Sequence, residues 1–317
     1  MTKARFDDLG FRLGTGLFGF VIIALVAGIA VVLYSDSTDA IGKFGWRFWQ
    51  TQIWDPAAGE FGARPFIWGT LYSAVLALII AGPIALGIAI YVSELSPRLL
   101  QKPLVFLTEL LAAIPSIVYG LWGIFVLVPF VRQLEAATPP WMKALPLFSG
   151  PPLGLGMLSA ALLLAIMIVP FSSSVAREVL RAVPQAQREG AYALGATRWE
   201  AIRMALFYAR TGIVGSVMLG FGRALGETMA VTMVIGNTPQ VSMSLYAPQY
   251  TMAAVIANEF AEAADTLHVH ALVEIGLVLF VITLAVNIIS RAFIWSLGRS
   301  GRPARARTAA VPAPEAA

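Results

Sequence analysis

Residues 177–210 read REVLRAVPQAQREGAYALGATRWEAIRMALFYAR, a polar, arginine-rich interval set between two long apolar runs. Pro184 suits the first turn of a helix through Gln185, Arg188, Glu189, Gly190, Ala191, Tyr192, Ala193 and Leu194. Gly195 stands where a helix C-terminus favours a left-handed residue. Thr197 and Glu200 have the spacing of a capping box, in which each side chain satisfies the other's free backbone N–H, and they start a second helix toward Phe207. The interval reads as two short helices joined at a glycine, a lever for docking and not a membrane span.

The rest of the chain says where the lever is mounted. Of 317 residues, 58% are apolar and 13% charged, more apolar than a soluble core requires. Near-uninterrupted apolar runs fall at 16–34, 67–93, 103–130, 152–176, 212–236 and 271–295, each near or above the roughly 20 residues that cross a bilayer. These predict one all-α integral membrane domain over 1–317 with six transmembrane helices, 177–210 as its protruding loop, and a disordered Ala/Pro/Arg tail over 301–317. A β-barrel would need short alternating segments, which these runs are not. The first run follows Lys3, Arg5 and Arg12 but is longer than a signal-peptide core and lacks a convincing cleavage site, so it reads as a retained anchor.

Charge orients the bundle. Apart from Arg223, which lies inside a run, only Lys43, Arg47, Arg64, Arg132 and Lys143 fall on one side of the expected topology; every other Lys and Arg falls on the opposite side. The positive-inside rule therefore puts both termini and the lever in the cytoplasm. This accounts for the pI near 9.5 without a nucleic-acid partner. The chain has no cysteine, which excludes disulfides and thiolate metal sites, and its two histidines, His268 and His270, read as interfacial polar residues and not as a metal site. On the other side, Phe44, Trp46, Phe48, Trp49 and Trp54 crowd one loop, as aromatic rings do at headgroup level.

The fifth run holds two charges. Arg223 is near its middle, and Glu227 follows one turn later on the same face. A charge at the bilayer centre costs about 2.5 to 3.5 kcal/mol on insertion scales, so both should face protein or water. The pair is either an internal salt bridge or an anion site in which Arg223 meets a translocated anion and Glu227 positions it. Gly222 and Gly226 form a small-residue step suited to close packing against another helix in the complex. Pro83, Pro115 and Pro170 should each kink a span, and Glu109 and Glu274 sit nearer span ends, where interfacial placement suffices. No Gly-x-x-x-x-Gly-Lys-Ser/Thr phosphate loop occurs, so ATP hydrolysis would have to come from a separate chain.

The run Glu189-Gly190-Ala191 with Gly195 resembles the Glu-Ala-Ala-x-x-x-Gly coupling loop of bacterial ABC importer permeases, which docks on the ATPase; here Gly190 replaces an alanine, and Phe207-Tyr208 stands where the family usually has Leu-Pro. The stretch from Gly222 through Arg223, Glu227 and Thr228 to Thr232, then Ile235-Gly236-Asn237, resembles the C-type permeases of the high-affinity phosphate importer, as do Ala257 to Ala263 and Phe66 to Leu71. The resemblance covers most of the chain beyond the first span. It implies the type I importer fold in the bacterial inner membrane, with no enzyme activity in this chain. It further implies a pathway at Arg223, Glu227 and Thr228, and ATPase coupling through Glu189, Gly190, Ala191, Gly195, Thr197 and Glu200. The implied partners are a homologous A-type permease, two ATPase subunits that hold ATP and Mg, an extracytoplasmic phosphate-binding protein, and membrane lipid. Arg223 alone would suit sulfate or molybdate equally well, and an ion-coupled carrier without an ATPase remains the reading from a different class.

Overall fold

The computed structural model describes residues 3–299, so the expected tail lies outside the described residues, as do some of the arginines counted in the charge argument. In chain order the helices are α1 (Lys3–Asp36), α2 (Thr38–Phe44), α3 (Arg64–Ile90), α4 (Arg98–Ala113), α5 (Ser116–Trp122), α6 (Val128–Ala137), α7 (Pro140–Lys143), α8 (Met157–Arg181), α9 (Gln185–Ala193), α10 (Arg198–Leu225), α11 (Met229–Thr232), α12 (Met252–Glu259) and α13 (Thr266–Arg299). Among the described residues, six stretches are long and apolar enough to cross a membrane: Phe11–Asp36, Arg64–Leu95, Ser116–Ala137, Met157–Arg181, Arg198–Leu225 and Thr266–Leu297.

The centre of the bundle is α8, packed along α3 and α10. Small residues make that approach possible. Ala74, Ala77, Ala81, Ala85 and Ala89 recur every three or four residues on α3 and are buried throughout. On α10, a Cβ at Gly220 would meet Ser172 Oγ, and Ile168 Cγ2 at 2.7 Å, while one at Gly212 would run into Val179. Lipid tails are as apolar as leucine, so backbone proximity and its dispersion contacts have to supply what hydrophobic exclusion supplies in water. In contrast, α1 packs along α13 and touches little else, leaving most of its apolar surface open.

Two of the predicted spans, and the lever, need correction. The run 103–130 is not one helix. Pro115 forces Ile114 into an extended conformation (φ −63°, ψ 129°), which ends α4 and lets the crossing run from Ser116, through a wide π turn at Gly123–Leu127, to Ala137. Pro83 and Pro170 sit inside helices that continue past them, so neither ends its span. The run 212–236 is also two structures: α10 stops at Leu225, and residues 226–236 form α11 and a turn. Finally, the second helix of the 177–210 interval is not short. It is the first part of α10, which passes Phe207-Tyr208 without a break because no proline stands there.

The aromatic loop differs from expectation as well. Phe48, Phe61 and Phe66 are fully enclosed and form a second core with Tyr250, Met252 and Leu272. Trp54 packs edge-on to Phe61 and Phe66 and donates its indole N–H to Glu259 at 2.9 Å. Glu259 also meets His268 Nε2 at 3.1 Å, and the His268 ring stacks on Phe61. Of the loop indoles, Trp46 is the one left largely exposed. Glu274 is not interfacial: it is buried, and its Oε2 has no hydrogen-bond partner.

Candidate functional site

Two places carry the expected chemistry, one at each end of α10. The first is the turn from α9. Gly195 has φ +83°, its N–H reaches Tyr192 O at 2.9 Å, and the Ala196 N–H reaches Ala191 O at 3.1 Å, the paired bonds of a Schellman stop. Two residues later the capping box is complete: the Thr197 N–H donates to Glu200 Oε2 at 2.7 Å, and the Glu200 N–H donates to Thr197 Oγ1 at 3.4 Å. Ala191 is the buried residue of α9, while Glu189, Gly190 and Gly195 face outward. Exposed Tyr192, Leu194 and Trp199 surround them. An exposed apolar and aromatic patch of this kind on a protruding element marks a contact surface.

Sequence reasoning placed Arg177 at the start of this lever, and the structure places it inside α8. Its guanidinium is buried and meets Glu109 at 3.2 Å and Glu178 at 3.3 Å. Sequence reasoning also missed Glu94, which binds Arg188 of α9 at 2.6 Å from a π turn at the end of α3. The two residues lie far apart in the chain, so no helical spacing rule connects them. The interrupted register at Tyr91–Leu95 shows only in the coordinates.

The second place is the other end of α10. Arg223 occupies the last turn, exposed, with its guanidinium carbon 5.9 Å from the centre of the Phe171 ring. Phe171 lies midway along α8, which sets Arg223 at mid-depth of the bundle. Glu227 does not share its helical face, because Gly226 has already ended the helix. Among the described residues no ion pair joins Arg223 to a carboxylate, so the internal salt bridge is not formed. Glu227 Oε1 instead accepts weakly from the Ala230 N–H at 3.5 Å, at the start of α11. Thr228 Oγ1 donates to Gly226 O at 3.3 Å, and Thr232 Oγ1 donates to Thr228 O at 2.7 Å.

Below this break, α11 is clamped against α5 and α8. Gly120 leaves room for Ala230 Cα, 3.1 Å from where a Cβ would stand, and Gly123 leaves room for Val234. The chain then reverses through two left-handed residues, Gly236 (φ +91°) and Asn237 (φ +47°), and is held by α3: the Trp68 indole donates to Ser242 O at 2.9 Å and the Tyr72 hydroxyl to Met243 O at 2.8 Å. Non-helical backbone at membrane depth is tolerated where it is buried in protein or lines a cavity, and Gly226 to Thr228 is such a stretch. A Cβ at Gly222 or Gly226 would meet nothing within this chain, and the close approach of α10 to α8 is made through Gly212 and Gly220.

Residues 83–298 match the family model of binding-protein-dependent transport system inner membrane components. The chain is 44% identical over 298 residues to the phosphate transport system permease protein PstC of Mesorhizobium japonicum, covering 92% of this chain and 91% of that one. The chain belongs to the PstC family of ABC importer permeases. The PstC protein of Haemophilus influenzae is 48% identical over 290 residues, covering 90% and 92% of the two chains, and a probable PstC of Methanocaldococcus jannaschii is 39% identical over 277 residues, covering 85% and 88%. Among solved structures, the inward-facing MetNI methionine ABC transporter superposes with a TM-score of 0.54 at 15% identity, covering 73% of this chain and 94% of that one, a likeness of fold. Membership makes the chain a multi-pass inner-membrane permease and not an enzyme.

Proposed function

We propose that the chain is one of two homologous permeases through which an ATP-driven importer moves inorganic phosphate across the inner membrane by alternating access. Both termini and the α9 turn lie in the cytoplasm. Two separate ATPase subunits bind ATP with Mg and engage Glu189, Gly190, Ala191, Gly195, Thr197 and Glu200; an A-type permease completes the pathway, and an extracytoplasmic phosphate-binding protein delivers the cargo. The observation that carries the transport reading is the exposed guanidinium of Arg223, at mid-depth beside a broken helix and with no carboxylate within ion-pair distance among the described residues. A guanidinium offers planar, paired N–H donors that match the oxygens of a phosphate, and it cannot lose its charge near neutral pH. Glu227 and Thr228 follow on the non-helical link between α10 and α11, where they are able to trade partners as the cavity changes sides.

The test is uptake of labelled phosphate by cells that carry Arg223→Gln or Glu227→Gln at wild-type expression. Loss of one charge-assisted bond of about 1.5 to 3 kcal/mol predicts uptake lowered by roughly 10- to 100-fold for Arg223→Gln. Wild-type rates in both variants would rule out this site. Competition by sulfate or molybdate as strong as by phosphate itself would assign the cargo to a different oxyanion.

A further inference from the structure

At the Arg-rich end of the bundle, one guanidinium is bonded to three elements. Arg188, in the middle of α9, donates through Nη1 to Val183 O at 2.8 Å and through Nη2 to Leu180 O at 2.9 Å, thereby capping the carbonyls left open where α8 ends. The same Nη2 meets Glu94 Oε1 at 2.6 Å. Glu94 has a second tie through its backbone, whose carbonyl accepts from Arg198 Nη2 at 2.8 Å, so the first residue of α10 is bound to the same corner. The side chains of the pair are largely withdrawn from solvent, 23% exposed for Arg188 and 11% for Glu94, unlike the surface pairs that contribute little.

Glu94 is presented by an irregularity. The end of α3 widens into a π turn over Tyr91–Leu95, closed by the Ser96 N–H on Tyr91 O at 2.7 Å, and Gln101 of α4 donates to Val92 O in the same turn at 3.0 Å. Such single wide turns recur at functional positions because they redirect a side chain without ending the helix. The corner thus joins α3, α8, α9, α10 and, through Gln101, α4. From it, α3 and α8 run packed along their small-residue interface to mid-depth, where Phe171 of α8 lies under Arg223.

We infer that the Arg188–Glu94 pair is a positioning clasp that carries displacement of α9 into α3 and α8, in addition to the covalent route into α10. This rests on the reading of α9 as the ATPase contact. With the clasp closed, a push on α9 moves three crossing helices as one body. With it open, α9 is left with its covalent links to α8 and α10, and α3 is released. The pair acts through other groups and does not touch phosphate.

The test uses the complete importer in proteoliposomes, with Glu94→Gln, Arg188→Ala and Arg188→Lys measured for ATPase co-purification, ATP turnover in the presence of the binding protein, and phosphate moved per ATP hydrolysed. Glu94→Gln and Arg188→Ala should assemble normally and keep ATP turnover within about twofold, while transport per ATP falls by about tenfold, the size of one lost charge-assisted bond. Arg188→Lys, which keeps the charge but loses the fork that spans three acceptors, should fall in between. Unchanged transport per ATP in all three variants overturns the clasp, and so does a Glu94→Gln complex that no longer holds its ATPase, since the pair would then serve assembly. Failure of the wild-type complex to couple ATP to phosphate at all would instead refute the underlying reading of function.

Discussion

The two ends of α10 are built on opposite principles. At Thr197 the chain fixes its own turn within a few residues: a Schellman stop at Gly195, then a two-way capping box. At Leu225 the helix simply stops, with a weak bond from Glu227 to the next short helix and an exposed arginine in the last turn. The first end faces water, where a helix terminus is stable only if its own side chains fix it. The second is held by neighbours, through Gly220 against Ile168 and Ser172 and through α11 against Gly120 and Gly123. A locally fixed end transmits force without deforming, and an end fixed only by packing rearranges when its neighbours move. That division suits a lever at one end and a changing site at the other.

The division can be broken from either side. The largest effect is expected from Gly220→Val, which pushes two β-branches into Ile168 and Ser172 where the far end of α10 is held; overpacking of this kind costs about 1 to 3 kcal/mol, or more where backbones touch, and thermal unfolding in lipid should shift down. An unshifted transition would mean that α10 and α8 are not held by this contact. Next is Gly195→Val, which must adopt φ +83° at a cost of about 1 to 2 kcal/mol. It should weaken co-purification of the ATPase while leaving the outer core intact, and undiminished association together with undiminished uptake would remove the turn from the coupling role. Thr197→Ala removes one half of the capping box for about 1 kcal/mol, so the start of α10 should lose amide-exchange protection while Arg223 and its surroundings do not. Gly222→Ala is predicted to be the mildest, since a Cβ there meets nothing in this chain. If it nonetheless impairs recovery of the second permease, the open face beside Arg223 is the subunit contact.

Much of this arrangement can be read from the residues, and the unreadable parts share a cause. The α9–α10 turn is legible because water forces helix ends to announce themselves with Pro184, Gly195, Thr197 and Glu200. Inside an apolar run the same events are muted. Leu225 and Met229 flank a helix end without any change in hydropathy, so the run 212–236 conceals it, and Gly226 alone does not distinguish a break from a packing glycine. Pro115 carried a clear signal, the extended conformation it imposes on Ile114, but the apolar residues on both sides masked it. Arg223 was legible as a charge in an apolar run, although its separation from Glu227 depends on where the helix ends. The Arg188–Glu94 bond was beyond sequence patterning, because it depends on how two helices distant in the chain come together.

One consequence concerns the order in which the chain is made. Of the described helices α1 is made first, and its main helical neighbour is α13, which is made last. At about 5 to 20 residues per second, the delay between them is on the order of 10 to 50 s. Until then α1 lacks that neighbour, and its crossing stretch is an apolar one that the rest of the chain leaves unburied. The contact between α1 and α13 thus forms only after every other described helix has been made.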